Sequence, residues 1–145
     1  MPITPGRGRG SARSAARVLF VEDDPDVAAM YRLKLELEGC LVDLAMDGEE
    51  ALELALNVPD LVCLDIRLPR MDGLTVLEHV RQMKGLEATP VLILSNYSES
   101  HMVSRALALG AREYLVKSRT TPAALAARCR YWLGTEDPQG RLAPT

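Results

Sequence analysis

Five times along the chain, a short apolar run gives way to a longer segment with apolar residues at helical spacing. Arg17-Val18-Leu19-Phe20-Val21-Glu22 is the first run, and it ends in acids. Asp24-Pro25 follows, an Asp cap with Pro at the first helical position, and this pair starts a helix. That helix carries Val27, Tyr31 and Leu35, runs to Glu38, and meets Gly39 as a left-handed C-terminal cap. Cys40–Ala45 reads as a second strand, and Asp47-Gly48 opens a helix with Ala51, Leu52, Ala55 and Leu56 on one face. Asn57 is its expected cap, and Pro59 prevents continuation. Residues 60–65 form the third strand, whose run Leu61-Val62-Cys63-Leu64 leads straight into Asp65. Such a run fits a strand covered by helices on both faces.

Leu68-Pro69-Arg70-Met71-Asp72-Gly73 is turn chemistry, followed by a helix carrying Leu74, Val76, Leu77, Val80 and Met83 and ended by Gly85. Pro90–Ser95 is the fourth strand, residues 98–109 the fourth helix, and Glu113–Lys117 the fifth strand. Thr121-Pro122 starts a last helix that runs to Leu133 and stops at Gly134. Each connecting helix is long enough for a right-handed crossover between parallel strands. The expected architecture is α/β: a doubly wound (βα)5 fold with a five-stranded parallel sheet and helices on both faces.

Composition changes this picture little, but charge changes the ends. The chain has 145 residues, 48% hydrophobic and 26% charged, the profile of one globular domain. Its net charge of −3 is uneven, because Arg7, Arg9, Arg13 and Arg17 open the chain without an acid among them. Residues 1–16, rich in Gly, Arg, Pro and Ser, read as a disordered basic tail, in preference to a phosphate-touching or transit segment. Residues 17–134 form the folded domain, and 135–145 read as a flexible C-terminal tail. The folded part is acidic, so direct DNA binding is not expected of it. Cys40, Cys63 and Cys129 show no metal-ligand or redox spacing, and Cys40 and Cys63 lie in apolar runs. They read as buried free thiols in a reducing cytoplasm. No apolar run approaches the roughly 18 residues of a membrane span.

The chemistry collects at the strands' carboxyl ends. The first strand ends in Glu22 and Asp23, the third in Asp65, the fourth in Ser95 and the fifth in Lys117. In strand order 2-1-3-4-5, strands one and three flank the switch point, where Glu22, Asp23 and Asp65 converge. Three adjacent carboxylates repel unless a cation is present, and Mg2+ takes oxygen ligands. Ser95 and Lys117 supply a hydroxyl and an ammonium on the other flank. That arrangement suits transfer of a phosphoryl group onto Asp65.

Four pieces now resemble the receiver domain of two-component response regulators, chemotaxis-regulator-like and flavodoxin-like in fold. They are Val-Glu-Asp-Asp-Pro at 21–25, Leu-Asp-Ile-Arg-Leu-Pro-Arg-Met-Asp-Gly at 64–73, Leu-Ser at 94–95 and Tyr-Leu-Val-Lys at 114–117. The resemblance covers about residues 17–134. It implies that Asp65 accepts phosphoryl from a phosphohistidine on a sensor histidine kinase or phosphotransfer protein. It implies Asp23 as a direct Mg2+ ligand, Glu22 acting through water, and the Arg67 backbone carbonyl completing the set with Asp65. It assigns Ser95 and Lys117 to the phosphoryl oxygens and makes Tyr114 the aromatic switch. Output is expected through the fourth helix, fifth strand and fifth helix, toward an unknown partner or a homodimer. The domain is then a phosphoacceptor that assists its own phosphorylation and dephosphorylation, rather than an enzyme with a separate substrate.

Three positions depart from the family pattern. Ser118 stands where a proline usually follows the lysine, so either a trans bond with a shifted loop or local strain is expected. Arg67 and Tyr97, two residues past Asp65 and Ser95, flank the path of the hydrolytic water. Tyr97 is expected to shield the acyl phosphate, and Arg67 to pair with the acidic pocket when metal is absent. Haloacid-dehalogenase-type hydrolysis wants an acid where Arg67 stands, and a flavin phosphate would be repelled by Glu22-Asp23-Asp24. The remaining alternative is a receiver-like module that signals by binding without phosphorylation.

Overall fold

A computed structural model describes residues 15–134. The elements are β1 (Arg17–Val21), α1 (Pro25–Leu37), β2 (Leu41–Ala45), α2 (Gly48–Ala55), β3 (Leu61–Leu64), α3 (Gly73–Gln82), β4 (Val91–Ser95), α4 (Ser100–Ala108), β5 (Glu113–Val116) and α5 (Pro122–Leu133). The five strands are parallel, as the alternation of elements predicts, and their order β2-β1-β3-β4-β5 is the one expected of a flavodoxin-like fold. Backbone bonds extend the ladder past the strand ends: Glu22 N–H donates to Ala45, Asp65 N–H to Val21 and Asp60 N–H to Arg17. The expected strands 17–22 and 60–65 therefore keep sheet pairing over their full length. The tails read over 1–16 and 135–145 fall outside the described residues, except for Ala15 and Ala16. The Ala16 carbonyl accepts from Leu41 N–H, so sheet contact begins one residue earlier than expected.

Side-chain alternation divides the core in two. Leu19, Val21, Val62, Leu64, Val91 and Ile93 pack with buried residues of α2, α3 and α4. Val18, Phe20, Leu61, Cys63, Leu92 and Leu94 face the other way, onto Tyr31 and Leu35 of α1 and Leu125, Ala126 and Cys129 of α5. The period of two along a strand thus builds both layers from one sheet. Asp24, Asp47, Asp72 and Thr121 cap their helices by accepting from backbone N–H groups, as their positions predict.

Several local readings need correction. The left-handed residue after α2 is Val58 (φ 54°), not Asn57, where buried Pro59 turns the chain toward β3. The fourth helix is shorter than 98–109, and Lys117 opens a 3-10 turn (Lys117–Arg119) rather than ending β5. Cys40 is half-buried, and the Cys63 and Cys129 sulfurs, distant in sequence, lie 3.9 Å apart. Burial pushes the Cys40 thiol up to about 11. On α3, His79 Nδ1 lies 2.8 Å from the Thr75 carbonyl oxygen.

Candidate functional site

β3 delivers Asp65 to the carboxyl edge of the sheet with only 6% of its surface exposed. The chain then doubles back tightly: Gly73 N–H donates to the Ile66 carbonyl at 2.7 Å. A Cβ on Gly73 would lie 2.0 Å from the Asp65 carbonyl oxygen, so this approach requires glycine. On the neighbouring strand, Glu22 is buried and accepts from Asp24 N–H at 2.9 Å. Asp23 is exposed. Carboxylate oxygens of Glu22, Asp23 and Asp65 lie within 4.8 Å of one another. This is the convergence that the strand order predicts.

Lys117 closes the site from the 3-10 turn that follows β5. Its Nζ donates to Glu22 Oε1 at 2.5 Å and to Asp65 Oδ2 at 2.8 Å. Burial alone would lower the Lys117 ammonium, but hydrogen bonds to Asp65 and Glu22 outweigh it and leave it raised. Burial pushes Glu22 upward despite its bonds to Lys117 and Asp24 N–H. The donor set is all oxygen and clustered, which fits a hard divalent cation such as Mg2+.

Ser95 is fully buried at the end of β4 and accepts from Tyr97 N–H at 3.2 Å. Arg67 does not pair with the acids as expected. Its guanidinium lies 3.9 Å from the centroid of the Tyr97 ring, while its backbone N–H reaches Asp65 Oδ1 at 3.4 Å. Lys117 occupies the pocket instead, paired with both Glu22 and Asp65. Tyr114 is half-buried against the core of the α2–α4 layer, and its hydroxyl donates to the Tyr97 carbonyl. No cis peptide bond occurs among the described residues, so Lys117–Ser118 is trans. Of the two outcomes expected at Ser118, the trans bond is the one found, and Ser118 N–H donates to Asn96 Oδ1 at 2.9 Å.

Two contributors escape a reading of the sequence alone. Tyr31 fits the apolar stripe of α1, yet its hydroxyl donates to the Thr120 carbonyl at 2.5 Å, beside the lysine loop. Asn96 reads as an ordinary loop residue. The available signal was a phenol at a core position, because a buried hydroxyl needs a partner.

Comparison with known proteins gives one answer. The model of the response regulator receiver domain matches residues 18–130. The transcriptional regulatory protein DltR of Streptococcus agalactiae is 43% identical over 102 residues, covering 70% of this chain and 45% of its own length. The phosphate regulon transcriptional regulatory protein PhoB of Rhizobium meliloti is 35% identical over 124 residues, covering 85% of this chain and 54% of its own length. The chain thus spans about half the length of these relatives. Among solved structures, a CheY-like receiver domain protein of Methanospirillum hungatei aligns with TM-score 0.78 at 27% identity, over 83% of this chain and 95% of that one. The BeF3-activated receiver domain of Klebsiella pneumoniae RstA aligns with TM-score 0.72 at 35% identity, over 81% and 97%.

Proposed function

The chain belongs to the response-regulator receiver family, and from that premise we propose that it is the phosphoryl-accepting switch of a two-component phosphorelay. The observation that carries this reading is the setting of Asp65. Its Oδ2 lies 2.8 Å from the Lys117 ammonium, and its carboxylate shares a 4.8 Å cluster with Glu22 and Asp23. An Asp65 oxygen attacks the phosphorus of a phosphohistidine on a sensor kinase or phosphotransfer protein. The P–N bond breaks, a P–O bond forms, and the imidazole leaves with the electron pair. Glu22, Asp23, Asp65 and the Arg67 carbonyl would hold Mg2+. When bound, Mg2+ supplies positive charge that offsets the negative charge gathered at the site.

The chain's own groups do the rest. Lys117 shifts its bonds from Glu22 and Asp65 to a phosphoryl oxygen, and Ser95 donates its hydroxyl to another. Tyr114 is drawn inward with Ser95, and α4, β5 and α5 change partner affinity by population shift. The output partner is a protein or a second copy of the chain. Asp65 is itself the substrate, so the chain is not an enzyme toward a separate one. Among the described residues no helix is long and apolar enough to cross a membrane; we place the domain in the cytoplasm, without direct contact to DNA. The Arg67–Tyr97 stack covers the hydrolytic approach and prolongs the acyl phosphate.

Incubation with Mg2+ and acetyl phosphate, followed by intact mass measurement, tests this. One phosphoryl group is gained, and none is gained by Asp65→Asn or with chelator. Tyr97→Ala shortens the phosphoryl lifetime, and an unchanged lifetime defeats the shielding idea. No gain with any phosphodonor favours the alternative of a module that signals by binding alone.

A further inference from the structure

We propose that Tyr31 and Asn96 are positioning residues that set the reach of the Lys117 ammonium, by gripping its loop from two sides. The inference rests on the reading of Asp65 as phosphoryl acceptor. It starts from a polar atom in an apolar place. The buried residues of α1 are Ala28, Tyr31 and Leu35, and Tyr31 is only 2% exposed. A leucine would satisfy the helical stripe equally well, so the hydroxyl has some other use. It lies 2.5 Å from the Thr120 carbonyl and 3.5 Å from the Lys117 carbonyl. A phenol has one proton to donate, and Thr120 takes it, with Lys117 on the rim of the contact. These two residues bracket the 3-10 turn Lys117–Arg119. The phenol therefore touches both ends of the turn that begins with the site lysine.

Asn96 holds the same turn from the other side. Its Oδ1 accepts from Ser118 N–H at 2.9 Å. This bond exists only because residue 118 is not proline, which has no N–H. The turn is also closed on itself: Thr120 Oγ1 donates to the Val116 carbonyl at 2.8 Å, and Thr120 N–H to the Lys117 carbonyl at 3.2 Å. Asn96 directly follows Ser95, and the Tyr31 ring stacks on Phe20, two residues before Glu22, at a centroid distance of 5.6 Å. The lysine loop is thereby tied to the strand that carries the acid and to the strand that carries the serine. Side-chain bonds replace backbone stiffness in placing Lys117. A loop shift of about 1 Å would weaken the Lys117 contacts, now 2.5 and 2.8 Å, and make them intermittent.

The test uses the full chain, acetyl phosphate as donor, and two readouts: the initial phosphorylation rate at saturating Mg2+, and Mg2+ affinity by calorimetry. Lys117 competes with a cation for Glu22 and Asp65. A loosened lysine therefore slows phosphorylation while Mg2+ binds more tightly. Tyr31→Phe and Asn96→Ala should each slow the reaction on the order of tenfold, as expected for one lost hydrogen bond. Each should also tighten Mg2+ binding by about threefold, a smaller effect because the lysine still reaches the acids part of the time. A general loss of fold moves both readouts downward together. An unchanged rate, an unchanged Mg2+ affinity, or parallel losses in both variants overturn the proposal. If Tyr31→Phe does not fold, Asn96→Ala on its exposed loop decides alone. If the wild-type chain takes no phosphoryl group, the acceptor reading fails, and the Mg2+ arm still decides whether Tyr31 and Asn96 hold Lys117.

Discussion

Helices α1 and α4 both start just past a strand end that feeds the site, yet they are held very differently. α1 has 13 residues, a proline in its first turn, and an Asp24 cap accepting from Asp26 and Val27 N–H. Tyr31 and Leu35 sit fully in the core, and Glu38 at its end pairs with Lys34 and with Arg130 of α5. α4 has nine residues, and Glu99 at its N-cap makes no side-chain cap bond. Its only fully buried residue is Ala106, and Leu107 stays 45% exposed. α4 is instead gripped at its far end, where Arg81 donates to the Gly110 carbonyl at 2.8 Å. The acidic half of the site thus stands on a fixed element, and the Ser95 half leads into a lightly held one. A switch needs a part that moves against a part that does not, and elements with few buried contacts and unmet caps open first.

The strongest way to break this contrast is to cut into each helix's core. Leu35→Ala should cost about 3 kcal/mol by urea denaturation, through lost burial and the cavity left behind. Ala106→Gly on α4 should cost about 1 kcal/mol, mostly backbone entropy. Equal costs would mean that α4 is anchored as firmly as α1.

A smaller effect sharpens the same contrast at the helix starts. Glu99→Ser supplies the cap that α4 lacks and should add about 0.5–1 kcal/mol of local stability. Amide exchange over Met102–Leu107 should slow, and α1 should be untouched. If exchange in α4 does not change, its start is held by something other than its cap.

Much of this was legible in the chain itself. The parallel sheet and the caps at Asp24, Asp47, Asp72 and Thr121 follow from local pattern, and the meeting of Glu22, Asp23 and Asp65 follows once the strands take the flavodoxin-like order. What was not legible depends on side-chain reach across the sheet. Whether Lys117 or Arg67 fills the acidic pocket is a contest between two cations, settled by where each stem leaves the backbone. The approach of Cys63 to Cys129 and the use of the Tyr31 hydroxyl likewise join residues distant in sequence. A hydrophobic pattern records that such residues are inside, but not what their polar atoms meet.

The smallest expected effect separates scaffold from site by pH, in protein kept free of metal by chelator. Burial raises Glu22 above its ordinary 4.5 despite its bonds to Lys117 and Asp24 N–H. A raised carboxyl contributes stability that is fully present below 4.5 and is lost as pH rises through its folded value. At neutral pH an ionised Glu22 therefore works against the fold. Glu38, in the tie between α1 and α5, runs the other way. Burial alone would raise it, but the Lys34 hydrogen bond and the Arg130 charge outweigh burial and lower it. Its contribution is present above 4.5 and is lost as pH falls through its lowered value. Melting should follow these signs on either side of 4.5: Glu22→Gln removes a loss of stability as pH rises above it, and Glu38→Gln removes a gain as pH rises toward it from below. The surface position of Glu38 keeps its share small. If both variants shift the profile in the same direction, site and scaffold do not carry opposed electrostatics, and the acidic pocket is not held at a cost to the fold.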